Sequence, residues 1–229
     1  MSSSYYFLVY NDNSHTEYLN NLLNSVRKMG KEFKIIIFNK TNIDTNFLNK
    51  YKSILNLKQG GGYWLWKPYI INETLKNIKE NDIIFYLDSK YFFINHFYET
   101  ISNYMKINDI LVWKNKPNEK VWYMKNFCKM DVILKYNMYN KVFVENCEDC
   151  WGGAIVIKKN KNTIKYIHEW LDMCSIYENI TDTPSKSKNS NLFKSHRHDQ
   201  SLLSIILHKY NINMKYFKKD FLQNVRCPF

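Results

Sequence analysis

The sequence predicts a single α/β domain over residues 1–229, with a mostly parallel central sheet flanked by helices and its site at the carboxyl ends of the strands. Three observations carry this prediction. The apolar runs Tyr5–Tyr10 and Phe33–Phe38 enclose a stretch at 18–29 with helical periodicity, the strand–helix–strand order that a parallel pair requires. The run Ile83-Ile84-Phe85-Tyr86-Leu87 is apolar without alternation, as in a strand covered on both faces, and it ends in Asp88. Finally, 229 residues that are 45% hydrophobic can bury one substantial core, and no low-complexity linker divides them.

The remaining elements follow in order. Pro68 suits the first turn of a helix that carries Ile70, Ile71, Leu75 and Ile78 toward the core, and Asp82 opens the next strand. Residues 131–138 read as helix and 154–157 as a buried strand, while Ile164, Ile167, Trp170, Leu171 and Cys174 mark one helical face. Residues 178–195 collect Asn, Thr, Ser, Lys and Pro without periodicity and are expected to form a long mobile loop. That loop leads to a buried helix at 200–210 with Asp199 at its N-cap. No internal repeat is present.

Composition narrows the function classes. The net charge of +12 attracts any polyanion, from nucleotides and nucleic acid to anionic membrane surfaces, although the lysines are dispersed in the manner that AT-rich coding also produces. No nucleic-acid module is recognisable, so no specific nucleic-acid partner is expected. The longest apolar run, at 202–207, is far short of the ~20 residues of a membrane span, and the first residues lack a signal-peptide pattern, so a cytoplasmic protein with at most peripheral membrane contact is expected. Five cysteines, an odd number, fit a reducing compartment. Cys147-Glu148-Asp149-Cys150 has CxxC spacing but no second ligand pair for zinc, and it precedes an apolar run instead of opening a helix, so ordinary buried thiols are expected.

Two stretches concentrate chemistry. In Gln59-Gly60-Gly61-Gly62-Tyr63-Trp64-Leu65-Trp66-Lys67-Pro68-Tyr69 the glycines allow close backbone approach. Trp64 and Trp66, alternating on extended backbone, would share one face for stacking, and Lys67 supplies a cation. In His196-Arg197-His198-Asp199-Gln200, cations, a carboxylate and an amide lie just before a buried helix. Asp199 there either caps the helix or binds a ligand, and both roles are compatible. Together with Asp88 these residues equip a chain to hold a nucleotide bearing phosphates and a sugar, which requires Lys67, Asp88 and Asp199 to converge on one crevice.

At this point the chain resembles the small GT-A-type glycosyltransferases that use nucleotide-sugar donors, including relatives in polysaccharide gene clusters and large DNA viruses. The blocks that carry the resemblance are Gly62-Tyr63-Trp64-Leu65-Trp66-Lys67-Pro68-Tyr69, Phe85-Tyr86-Leu87-Asp88-Ser89 and His196-Arg197-His198-Asp199-Gln200-Ser201. Weaker support comes from Cys128-Lys129-Met130-Asp131 and from Trp151-Gly152-Gly153-Ala154, so that nearly the whole chain is covered.

The resemblance implies transfer of a sugar from a UDP or GDP sugar to a hydroxyl of a glycan or glycoconjugate. It implies a donor site of Tyr10, Trp64, Trp66, Lys67, Asp88, Ser89, Lys129, Arg197 and His198, with Asp199 and Gln200 against the donor sugar. Glu148 and Asp149, just ahead of Trp151-Gly152-Gly153, are candidates by position for an acceptor-activating base. The resemblance further implies Mn²⁺ or Mg²⁺ held by Asp88, the first aspartate of a DxD frame. Here the frame departs, because Asp88-Ser89-Lys90 places a lysine, itself able to neutralise phosphate, where the last aspartate belongs. A catalytically silent nucleotide-sugar or glycan binder on the same scaffold is the alternative that this lysine keeps open.

Overall fold

The computed structural model describes residues 3–12, 16–29, 32–94, 98–114, 121–216 and 222–224. The chain begins with β1 (Tyr5–Tyr10), α1 (Thr16–Arg27), β2 (Phe33–Phe38) and the short turns α2 (Thr45–Lys50), α3 (Lys52–Leu55) and α4 (Gly60–Tyr63). It continues through α5 (Trp66–Asn77), β3 (Ile83–Leu87), β4 (Tyr91–Phe93), α6 (Tyr98–Ile107), β5 (Ile110–Lys114), α7 (Met124–Phe127), α8 (Met130–Lys135) and α9 (Tyr139–Phe143). Last come β6 (Cys150–Lys158), α10 (Lys161–Cys174), α11 (Tyr177–Ile180), α12 (His198–Lys209), β7 (Lys215–Tyr216) and β8 (Leu222–Asn224).

The main sheet has the order β2-β1-β3-β6-β5-β7. β1 is parallel to β2 and β3, β5 is parallel to β7, and β6 alone runs antiparallel to its neighbours β3 and β5. One reversed strand has a direct consequence: the start of β6 lies at the edge where β1 and β3 end. There Leu87 pairs with Ala154, and the Asp88 N–H donates to the Gly153 carbonyl at 2.9 Å. A second, two-stranded sheet joins β4 to β8.

Alternation along the strands divides the core in two. Leu8, Tyr10, Ile84, Tyr86, Ile155 and Ile157 face the layer of α5, α10 and α12. Phe7, Val9, Phe85, Leu87 and Val156 face α1 and α6. Ile70, Ile71, Leu75 and Ile78 are buried as expected. The helix that carries them starts two residues before Pro68, a first-turn position where a missing N–H leaves no bond unmade. The expected helix at 131–138 ends early, because Asn137 adopts φ 56° and turns the chain into α9. No helix among the described residues is long and apolar enough to cross a membrane.

The segment 178–195, expected as a mobile loop, makes hydrogen bonds to the rest of the chain. Lys129, buried, donates its ammonium protons to the carbonyls of Glu178, of Thr181 at 2.9 Å and of Thr183 at 3.1 Å. The Asp131 carboxylate accepts the backbone N–H groups of Lys186 and Ser187 at 2.7 and 2.8 Å, and Asn189 accepts that of Met130 at 2.8 Å. The polar composition supplies partners for an irregular backbone. Burial lowers the pKa of Lys129, expected in the donor site, and its protons are committed to the segment 178–183. Cys128, Cys147, Cys150 and Cys174 are buried free thiols, as expected, and Cys227 lies outside the described residues.

Replacing Lys129 strands three carbonyls, so Lys129→Ala should lower stability by about 2–4 kcal/mol and expose residues 178–195 to protease. Denaturant unfolding and limited proteolysis check both effects.

Candidate functional site

Three chain segments meet at the strand-end edge of the sheet. β1 delivers Tyr10, Asn11 and Asp12, the turn after β3 delivers Asp88, Ser89 and Lys90, and the first turns of α5 and α12 bring Lys67 and Asp199 beneath them. The Lys67 ammonium lies 2.8 Å from Asp199 Oδ2 and 3.7 Å from Asp88 Oδ1, and it donates to the Gly152 carbonyl at 3.1 Å. Lys67, Asp88 and Asp199 therefore meet one another; Asp88 lines the cavity described below, while Lys67 and Asp199 are buried. The Asp199 contact is an ion pair without hydrogen-bond angles, so that Oδ2 is a buried oxygen with no hydrogen bond.

Electrostatics follows from this burial. Desolvation opposes the charge on Lys67, but Asp199 and Asp88 outweigh it and raise its pKa, keeping the ammonium charged. Desolvation raises the Asp199 carboxyl against the pull of Lys67. Tyr86, two residues before Asp88 and on the same strand face, donates its hydroxyl to Asp88 Oδ1 at 2.5 Å. Burial, then the Asp88 charge, hold that phenol well above its ordinary pKa.

The glycine stretch is not extended. Gly60, Gly61, Gly62, Tyr63 and Trp64 have φ of 56°, 59°, 98°, 52° and 60°, a left-handed turn of five successive residues. Tyr63 and Trp64 each adopt it at about 1–2 kcal/mol. Their rings supply the compensation: Trp64 stacks on His198 at 5.5 Å, Tyr63 meets His198 edge-on at 4.8 Å, and the Tyr63 hydroxyl donates to Asp182 at 3.1 Å. Trp66 donates its indole N–H to the Gly60 carbonyl at 3.0 Å and stacks on Tyr10 at 4.0 Å. The two tryptophans thus reach the site by a reversal of handedness, not by strand alternation.

These walls enclose a cavity of about 430 Å³, lined by Tyr10, Trp64, Trp66, Asp88, Ser89 and Lys90 together with Asp12, Tyr18, Lys58 and Tyr86. Of the expected donor residues, the structure brings Tyr10, Trp64, Trp66, Asp88 and Ser89 to it, with Lys67 directly beneath. Others lie elsewhere. His198 is buried under Trp64, donating from Nδ1 to the Ile180 carbonyl at 2.9 Å and accepting the Gln59 amide at 2.8 Å, and burial lowers its pKa. Arg197 is exposed and lies over the rings of Trp122 and Phe127 at 4.6 and 5.2 Å. It, and not Asp199, flanks the start of α12, so Asp199 is free of capping and bound to Lys67. Sequence reasoning missed Tyr86, Asp12 and Lys58; alternation back from Asp88 was the signal for Tyr86.

Both candidates for the base are engaged by partners. Asp149 is fully buried, accepting Gln200 Nε2 at 2.6 Å and Ser204 Oγ at 2.9 Å, and Glu148 is ion-paired with Lys114. Gln200 in turn accepts the Gly152 N–H at 3.3 Å. Asp149 and Gln200 therefore tie α12 to the start of β6, where a side chain on Gly153 would strike the Trp151 ring at 2.5 Å.

Asp88 does not fit the expected Mn²⁺ or Mg²⁺. Its Oδ1 takes the Tyr86 hydroxyl and faces Lys67, and its Oδ2 faces Lys90 at 3.9 Å. A cation coordinated at ~2 Å would stand against two ammonium groups. Among the described residues no group of three His, Cys, Asp or Glu could hold a metal ion.

No protein-family model and no curated protein sequence matches the chain. Among solved structures it is similar to the bifunctional glycosyltransferase WbbM in its apo form, with TM-score 0.52 and 11% identity over 95% of this chain and 39% of that one. It is similar to the glycosyltransferase GlyE of Streptococcus pneumoniae TIGR4, with TM-score 0.51 and 10% identity over 95% and 46%. It is also similar to mouse xyloside xylosyltransferase 1 in its apo form, with TM-score 0.50 and 8% identity over 94% and 85%. The chain spans less than half the length of the first two. Likeness at these identities shows the fold, and the fold is GT-A-like.

Two outcomes are expected. A methyl on Gly62 would meet the Leu55 Cα at 2.6 Å as well as straining φ, so Gly62→Ala should cost at least about 2 kcal/mol in denaturant unfolding. His196, which donates from Nε2 to the Asn179 carbonyl at 2.7 Å, has its pKa pushed down from 6.5 to about 3, first by burial and then by His198 and Lys129. The unfolded imidazole binds a proton that the folded one refuses. Stability from this group is therefore full above pH 6.5 and is lost as pH falls toward 3, by up to about 1.4 kcal/mol per pH unit. Unfolding midpoints from about pH 7.5 down to about pH 5 should fall, and His196→Gln should make that fall shallower.

Proposed function

We propose that this chain is a glycosyltransferase that moves a sugar from a nucleoside-diphosphate sugar, with UDP or GDP as the nucleotide, to a hydroxyl of a glycan or glycoconjugate acceptor. The observation that carries the reading is the cavity at the strand ends, with aromatic walls at Tyr10, Trp64 and Trp66 and the turn Asp88-Ser89-Lys90 opposite the glycine backbone. The GT-A-like fold supports it, and so does the buried cation set under that turn.

In this reading the rings of Tyr10, Trp64 and Trp66 hold flat or apolar faces of the donor, and Ser89 and Lys90 meet its diphosphate. As the bond from the anomeric carbon to phosphate oxygen breaks, negative charge grows on the departing diphosphate and positive charge on the sugar. Lys67 pairs with Asp199 in a buried place and faces Asp88. Asp199 and Gln200 set the floor on which the sugar lies. With Asp149 committed to Gln200 and Ser204, and Glu148 to Lys114, the acceptor proton is favoured to leave on the departing phosphate, the route open to retaining enzymes.

Calorimetry should register saturable binding of UDP or GDP. Asp88→Asn should cut nucleotide release from the matching nucleotide sugar by about 10²-fold while circular dichroism stays unchanged. A wild-type chain that binds a donor tightly yet neither transfers nor slowly hydrolyses it would instead be the silent binder that Lys90 in the DxD frame suggests.

A further inference from the structure

We infer that Lys90 takes the charge-neutralising place that a divalent cation would hold against the donor diphosphate, so that donor binding in this cavity is independent of metal. The inference rests on the nucleotide-sugar reading and concerns the same site.

It begins with the turn after β3. Asp88 N–H bonded to the Gly153 carbonyl, and Tyr91 N–H bonded to the Asp88 carbonyl at 3.1 Å, fix residues 88–91 so that Asp88, Ser89 and Lys90 all line one cavity. A carboxylate at the third position of this frame would give a metal a second oxygen ligand. The ammonium found there contributes a positive charge and three N–H donors of its own.

Position and tether suit that use. The Lys90 ammonium lies 3.9 Å from Asp88 Oδ2 and 5.3 Å from the Tyr91 ring centre, yet its side chain is 39% exposed, so it is aimed without being consumed. Lys58, also exposed, lines the same cavity and brings a second ammonium group to it. Asp88 meanwhile changes occupation. With Tyr86 and Lys67 on one oxygen and Lys90 on the other, it is a post that orients two ammonium groups, and a cation placed on it meets repulsion from both.

The test is calorimetry of the intact chain with UDP, GDP, CDP and ADP, each in EDTA and in Mn²⁺. The wild type is expected to bind one of them with affinities that agree within roughly twofold in the two buffers. Lys90→Ala should weaken binding by at least about tenfold, without rescue by Mn²⁺. Lys90→Asp, which restores the second carboxylate of the frame, should bind only when Mn²⁺ is present, with circular dichroism reporting an intact fold in each variant. Wild-type binding that collapses in EDTA, unaltered binding by Lys90→Ala, or metal-free binding by Lys90→Asp would each overturn the inference and leave the glycosyltransferase reading standing. The absence of heat from all four nucleotides in both buffers would overturn that reading, and this inference with it.

Discussion

The ion pair between Lys67 and Asp199 is the constraint on which the site depends. Each residue sits in the first turn of a buried helix, and neither could be ionised at that depth alone, because an isolated buried charge gives up its proton or takes one. Their contact at 2.8 Å joins the starts of α5 and α12, and the hydrogen bond from Lys67 to the Gly152 carbonyl joins both to β6. Asp88 is drawn into the same field from β3. Four elements distant in sequence are thus held in register by one ammonium group, and the cavity lies directly above it.

That arrangement gives the left-handed turn its setting. A run of positive φ through Tyr63 and Trp64 is unfavourable in isolation, and it persists because His198 offers each ring a surface while being held from below by the Ile180 carbonyl. The segment around Ile180 is in turn fixed by Lys129 and Asn179. The strain at the cavity wall is therefore balanced by contacts that reach through the molecule to the fastened segment 178–195.

Much of the fold was legible in the sequence because its signals are local. The runs that became β1, β2 and β3 are uniformly apolar, and the helix faces of α5, α10 and α12 follow simple periodicity, so element type and strand-end placement of Asp88 could be read directly. The reversal of β6 could not, since Ala154-Ile155-Val156-Ile157 is equally apolar in either direction. The site was partly legible for the same reason. Glycines, tryptophans and Asp88 announce a cavity through their chemistry, but whether a polar residue faces solvent or another residue depends on contacts far along the chain. Asp149, Lys129 and His198 show this: each is a polar residue next to a motif, and each is engaged by a partner 18 to 55 residues away. The hydrogen bonds of the segment 178–195 were not legible either, because composition cannot tell side chains that solvate themselves from side chains that satisfy a neighbouring backbone.

The three contacts of Lys67 also decide which basic residue the position accepts. Two carboxylates and one carbonyl gather around a single nitrogen in a space with almost no solvent, and a compact ammonium is a point charge that can face all three. A guanidinium is planar, broader and directs its donors into one plane, so arginine would preserve the charge and lose the fit. At this position the shape of the cation is as much a part of the architecture as its sign.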